Sequence, residues 1–171
     1  MQVTKRMSSV LLIFVCLLAL QACAYSKYRR ELEAKRIPYT ADAYFTAVNN
    51  RDNAVVRLFV LGGFNVNACM EAKEGQGDRQ TAMHAAIWDH DTKMVAFLLE
   101  HGYNLNQETC QVKTPPLHLA AMRGLVDIVK LMIEHGADIN RKDTFGMTPL
   151  MLAQQMRRPV MANFLRSQGA K

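Results

Sequence analysis

Apolar positions in this chain fall in short clusters at helical spacing, each closed by a glycine. The clearest cluster sets Val126, Ile128, Val129, Leu131, Met132 and Ile133 along one helix face ahead of Gly136. Just before it, Thr114-Pro115-Pro116-Leu117-His118-Leu119-Ala120-Ala121 predicts another helix, opened by proline where a missing N–H costs nothing. Met122-Arg123-Gly124 breaks that helix. The same pairing recurs along the chain. The phrases "VVRLFVLGGFNVN", "MVAFLLEHGYNLN", "IVKLMIEHGADIN" and the shortened "MANFLRSQGAK" carry Gly63, Gly102, Gly136 and Gly169 in one register, at spacings of 39, 34 and 33 residues. A period in this range predicts stacked helix pairs. Such an array presents a surface and seldom a catalytic pocket.

The longer first interval locates an insertion at Glu71–Gln80, "EAKEGQGDRQ", a charged, glycine-containing stretch without periodicity that reads as a loop. Two readings stay open for it: a tolerated surface loop, or a projection from the binding face.

The repeat phrases resemble the ankyrin repeat, whose helical pair opens on Thr-Pro-Leu-His wording. "GADIN" and "DTFGMTPL" carry the resemblance, which spans roughly Tyr44 to the C-terminus. It implies an all-α fold: an ankyrin-repeat solenoid of about four helix-turn-helix units with hairpin loops, over residues 40–171. The units depart from the pattern in particular ways. The first lacks the opening phrase, as a capping repeat does. The second has Ala82 for proline, the third Pro115 for threonine, and the fourth Met151 for histidine. Arg157, Arg158, Asn163, Arg166 and Gln168 give the last unit a polar outer face, which suits an end that meets water.

The resemblance also implies where a partner docks, on hairpin tips and the exposed side of each first helix. By register these are Trp88 and Asp89 in the second repeat, and Gln111, Val112, Thr114, Met122 and Arg123 in the third. The fourth supplies Thr144, Phe145, Met147, Gln155 and Met156. Trp and Arg are enriched among interface hot spots, and Phe and Met among interface residues. Any one of these taken alone is an ordinary exposed residue, and that plain reading weakens only if Trp88, Met122 and Phe145 form one continuous patch. His84 and His118 share one repeat position, where the resemblance implies a hydrogen bond that knits adjacent repeats. A hydrolytic enzyme using these two histidines is the rival reading, against which stands the lack of any nucleophile or carboxylate constellation.

Ahead of the repeats, Lys5 and Arg6 precede an apolar run from Val10 to Leu20. Eleven residues fall short of the roughly 20 that span a bilayer, but they fit the core of a secretory signal. Leu20-Gln21-Ala22-Cys23 resembles a bacterial lipobox, which implies removal of residues 1–22 and acylation of Cys23. Residues 23–39 are then expected to form a lipidated tether. Ala24 after the cysteine favours the outer over the inner membrane, with the repeats facing the periplasm.

Charge and cysteines sharpen this picture. The mature chain would carry 19 Lys/Arg against 15 Asp/Glu, a modest +4, and export argues against a nucleic-acid partner. Cys69 and Cys110 are left as a possible disulfide, permitted in an oxidising compartment. Closing that loop stabilises by about 4 kcal/mol in the chain-entropy model. Neighbouring stacked backbones sit roughly 8–10 Å apart, however, and a disulfide wants Cα atoms within about 7 Å. No Cys/His pair has zinc-type spacing and no glycine loop cradles phosphate, so no metal, cofactor or small-molecule substrate is expected. The expected activity is binding of another protein, as an inhibitor or immunity protein, or else as an envelope scaffold or stress-resistance factor.

Overall fold

The computed structural model describes residues 9–69, 81–106 and 114–171, with side chains from residue 22 onward. Among the described residues there are nine helices and no strand. They are α1 (Ser9–Ala34), α2 (Ala41–Asn49), α3 (Asn53–Leu61), α4 (Ala82–Trp88), α5 (Thr92–Glu100), α6 (Pro116–Arg123), α7 (Val126–Glu134), α8 (Pro149–Gln155) and α9 (Pro159–Ser167). The chain divides into two units, Met1–Ala47 with Asp52–Phe64, and Val48–Arg51 with Asn65–Lys171.

From α2 onward the helices are only seven to nine residues long. Isolated helices below about 12–15 residues are marginal in water, so these exist because they pack. In α5, Met94, Val95, Phe97, Leu98 and Leu99 are all buried. Each such side chain contributes roughly 1.5–3 kcal/mol on leaving water. Starts are set locally: Asp52 accepts from Val55 N–H and Asp91 from Met94 N–H, capping α3 and α5. Gly136, at φ 81°, closes α7 in the left-handed conformation that glycine adopts without a steric cost.

In the second unit α4 packs on α6, α6 on α8, and α5 on α7. Asparagines join these layers at the polar ends of the repeat phrases. The Asn67 amide donates to Gly102 C=O at 3.1 Å, and its Oδ1 accepts from Asn104 N–H at 2.8 Å. One repeat on, Asn106 donates to Gly136 C=O at 2.8 Å and accepts from Asp138 N–H at 3.1 Å. Asn140 Oδ1 accepts from Lys171 N–H at 2.8 Å. These bonds form a ladder that satisfies backbone groups left over between helices.

In the first unit, residues 23–39 carry side chains that pack against α3 and the turn after it. Residues 23–34 continue α1, which packs along α3. Leu32 is fully buried, and Arg29 Nε donates to Gly62 C=O at 3.0 Å. The same guanidinium lies 4.4 Å from the centre of the Tyr39 ring, which stacks on Phe59 at 5.3 Å. Tyr44 and Phe64 complete an aromatic cluster with Phe59. The docked residues Tyr25, Arg29 and Leu32 recur at helical spacing, and it is this sparse stripe that ties the segment down. Among the described residues, no helix is long and apolar enough to cross a membrane.

Candidate functional site

Within the second unit the first helices α4, α6 and α8 run in parallel register. Their N-terminal ends are joined by the two histidines. The Nε2–H of His84 donates to Thr114 C=O at 3.0 Å, and that of His118 to Met147 C=O at 3.0 Å. A carbonyl only accepts, so both rings carry the proton on Nε2. The Nδ1 of His84 accepts from the Thr81 hydroxyl at 2.9 Å, and the Tyr103 hydroxyl lies 3.0 Å from that oxygen. Burial pushes the Tyr103 phenol up to about 12. Burial likewise lowers the His118 pKa, against the opposing pull of Met147 C=O and Asp143. The His118 Nδ1 is buried without a hydrogen-bond partner among the described residues. Pro115, standing where Thr81 stands one repeat earlier, has neither hydroxyl nor N–H to offer it. The two histidines thus serve the junction between repeats.

The C-terminal ends of the same helices carry a different chemistry. Trp88 ends α4 and is 47% exposed. Arg123 ends α6 and sets its guanidinium 4.5 Å from the centre of the indole ring. Such a contact is worth about 0.5–1 kcal/mol at an exposed site, and it holds both side chains in place. Beside them Arg51 Nε lies 3.2 Å from Asp89 Oδ1. Val48, Asn49, Arg51, Ala85, Trp88 and Asp89 line a cavity of about 250 Å³. Further along, Arg158 Nε reaches Met122 C=O at 3.4 Å. The turns after the first helices share one device, a left-handed residue: Arg51 at φ 59°, His90 at 56°, Gly124 at 78° and Arg157 at 53°. This conformation reverses the chain tightly, so that each helix end projects its last side chains.

The expected partner residues therefore separate into two groups. Trp88, Asp89, Met122, Arg123, Gln155 and Met156 lie at the C-terminal ends of the first helices and their turns. Thr114, Thr144, Phe145 and Met147 lie before the N-terminal ends, about a helix length of 10–12 Å away. The single patch of Trp88, Met122 and Phe145 does not form. Thr114 and Met147 give their carbonyls to the histidines. Phe145 is 74% exposed on a turn organised by Asp143, whose Oδ1 accepts from the N–H groups of Phe145 and Met147 at 2.9 Å. Cys110, Gln111, Val112 and every residue of the Glu71–Gln80 loop lie outside the described residues. Cys69 is disulfide-bonded. Among the described residues no group of three His, Cys, Asp or Glu side chains is placed to hold a metal ion.

Sequence reasoning missed Arg51 as a partner of Asp89, and Asp143 as the organiser of the Phe145 turn. It also passed over the asparagine ladder, although the signal lay in the quoted phrases: "NVN", "NLN" and "DIN" repeat the residue in register.

Stacked helix pairs, joined at one end by buried histidines and along their loops by asparagines, define a helical-repeat protein. A family model described as ankyrin repeats (3 copies) matches residues 44–143 and 108–171, and the chain belongs to that family. It is 33% identical over 115 residues to the B-cell lymphoma 3 protein homolog of Mus musculus, covering 67% of this chain and 24% of that one. It is 33% identical over 100 residues to the serine/threonine-protein kinase VIK of Arabidopsis thaliana, covering 57% and 23%. With the ankyrin repeat and SOCS box protein 6 of Homo sapiens it shares 42% identity over 65 residues, covering 37% and 15%. The chain spans about a quarter or less of the length of these relatives. Ankyrin repeats are protein-interaction modules, and the family is generally one of non-enzymatic binding scaffolds.

Proposed function

We propose that this chain binds another protein through the helix-end face around Trp88, acting as an inhibitor or immunity protein of a bacterial envelope. The observation that carries the reading is the pair Trp88 and Arg123. An exposed indole fixed under a guanidinium is a preorganised anchor, and it loses little side-chain freedom on docking. Asp89 and Arg51 supply a polar rim beside it. The Phe145 turn is a separate contact point at the other end of the first helices.

The lipobox-like Leu20-Gln21-Ala22-Cys23 supports a lipid anchor on Cys23, which is exposed and unpaired. In this reading residues 1–22 are removed, the protein faces the periplasm from the outer membrane, and Cys69 pairs with Cys110. Intact-mass measurement of membrane-extracted protein tests the anchor. It should show loss of residues 1–22, acyl mass at Cys23 and, before reduction, two hydrogens missing. An unmodified Met1 terminus refutes the anchor.

Crosslinking in the native envelope, comparing wild type with Trp88→Ala and Arg123→Ala, tests the binding face. Both variants should keep the melting temperature within about 2 °C, since surface changes cost little stability. Loss of a hot-spot aromatic should weaken the complex by about 2 kcal/mol, roughly thirtyfold in Kd. A complex unchanged by both refutes the face. A discrete complex that silences its partner marks an inhibitor, whereas simultaneous capture of several proteins marks a scaffold.

A further inference from the structure

The last repeat carries a second surface with its own chemistry. A groove of about 450 Å³ runs between the end of α8 and the side of α9, lined by Arg157, Arg158 and Arg166 around Pro159 and Ala162. From Thr144 to Lys171 the chain holds four basic residues and no Asp or Glu. The nearest preceding acid, Asp143, accepts from backbone N–H groups in its own turn. On α7, Asp127 faces His90 and Thr92, and Glu134 lies 4.0 Å from Lys130. Among the described residues the groove arginines meet only neutral acceptors. Arg158 Nε reaches Met122 C=O at 3.4 Å, and Arg166 Nη1 reaches Asn163 Oδ1 at 3.2 Å. These bonds hold two guanidinium groups in place yet leave most of their donors unused.

A face that only met water would mix both signs of charge and keep apolar residues down. This one does neither: its charges are three arginines, and the apolar Pro159 and Ala162 lie among them. We infer that this face of the last repeat is a second docking surface, for a partner-protein segment that alternates carboxylate and apolar side chains. The carboxylates would take the guanidinium donors in charge-assisted bonds, and an apolar side chain would lie on Pro159 and Ala162. A symmetric pairing of this face with that of a second copy does not fit, because it would set three arginines against three. A bilayer fits less well than a peptide, because a concave floor admits a side chain and a planar headgroup layer does not reach it. The inference deepens the protein-binding reading by naming the chemistry of a partner segment, and it rests on that reading.

The probe is a fluorescein-labelled peptide of alternating glutamate and leucine, with the glutamine-for-glutamate peptide as control. Fluorescence anisotropy is read on wild type, on Arg157→Gln/Arg166→Gln and on Trp88→Ala, each checked for an unchanged melting curve. The acidic peptide should bind wild type and Trp88→Ala alike. Binding should weaken roughly tenfold or more in the double variant and fall as salt rises. Retention of the peptide by Trp88→Ala keeps this outcome separate from that of the Trp88 face. Equal binding of the glutamine peptide, or an undiminished affinity in the double variant, overturns the inference. Binding to vesicles of equal parts phosphatidylglycerol and phosphatidylcholine, without binding to the peptide, overturns it in favour of a membrane surface.

Discussion

Pro115→Thr should stabilise this protein, and the reason can be worked from one pair of equivalent histidines. In the second repeat, Thr81 gives His84 Nδ1 its hydroxyl at 2.9 Å, with its N–H at 3.4 Å. In the third, Pro115 offers no such donor, and among the described residues the His118 Nδ1 is buried without a hydrogen bond. Threonine at 115 would restore a donor to a group whose unmet hydrogen bond costs about 1–3 kcal/mol. The backbone is ready for it. Pro115 sits at φ −56° and ψ 154°, close to the −88° and 162° of Thr148, and the following Pro116 demands extended geometry in any case. Against the gain stands the lost stiffness of proline in the unfolded chain, about 0.4–1 kcal/mol. The net expectation is about 1 kcal/mol, or roughly 2–4 °C in Tm for a chain of this size. Urea and thermal melts followed by circular dichroism would read it, with Pro115→Val as the control that has threonine's shape and no hydroxyl. If threonine and valine prove equally stable, the unpaired nitrogen is not costing the fold what its burial implies.

Leu32→Ala should destabilise the first unit by about 2–5 kcal/mol, because Leu32 is fully buried and its removal leaves a cavity; a melt showing no loss would mean that α1 does not dock. Asn106→Ala removes bonds to Gly136 C=O and from Asp138 N–H, and should cost about 1–2 kcal/mol by denaturant titration. Acid should weaken the fold in two windows. The His118 pKa is lowered by burial, so the unfolded chain takes up that proton first, and stability falls as pH drops below about 6.5. A His118→Leu variant should lose that slope, whatever its absolute stability. For Asp127, desolvation pushes the pKa up, but the Thr92 hydroxyl, His90 and Ile128 N–H outweigh it and hold the carboxyl below its usual value. Its contribution is present above about pH 3.9 and is lost as pH falls through the lower folded value, a step that Asp127→Asn should abolish.

The repeat helices were legible because each pair closes on a glycine in one register and carries its apolar residues on one face. The structural role of His84 was legible from its repeat position. What escaped was set by contacts between distant segments. Tyr25, Arg29 and Leu32 make a stripe too sparse, amid charged neighbours, to announce that α1 docks on α3. Trp88 and Phe145 both read as exposed partner-facing residues, yet they sit at opposite ends of parallel helices, since one ends α4 and the other precedes α8. Residue type marked both as candidates, but only the direction of the helices separates them. The arginines of the last repeat read as a solvated end. That they flank an apolar floor depends on how α8 and α9 close, which spacing alone does not encode.

The asparagine ladder has a consequence for how such a chain can change. Among the described residues each rung reaches main-chain atoms of the next repeat, the Gly102 and Gly136 carbonyls and the Asn104 and Asp138 N–H groups. Nearly every residue supplies those atoms. The coupling is therefore indifferent to the neighbour's side chains, and a repeat can be duplicated, replaced or allowed to drift without remaking the joint. The surface that meets a partner is free to diversify while the fitting beneath it stays standard.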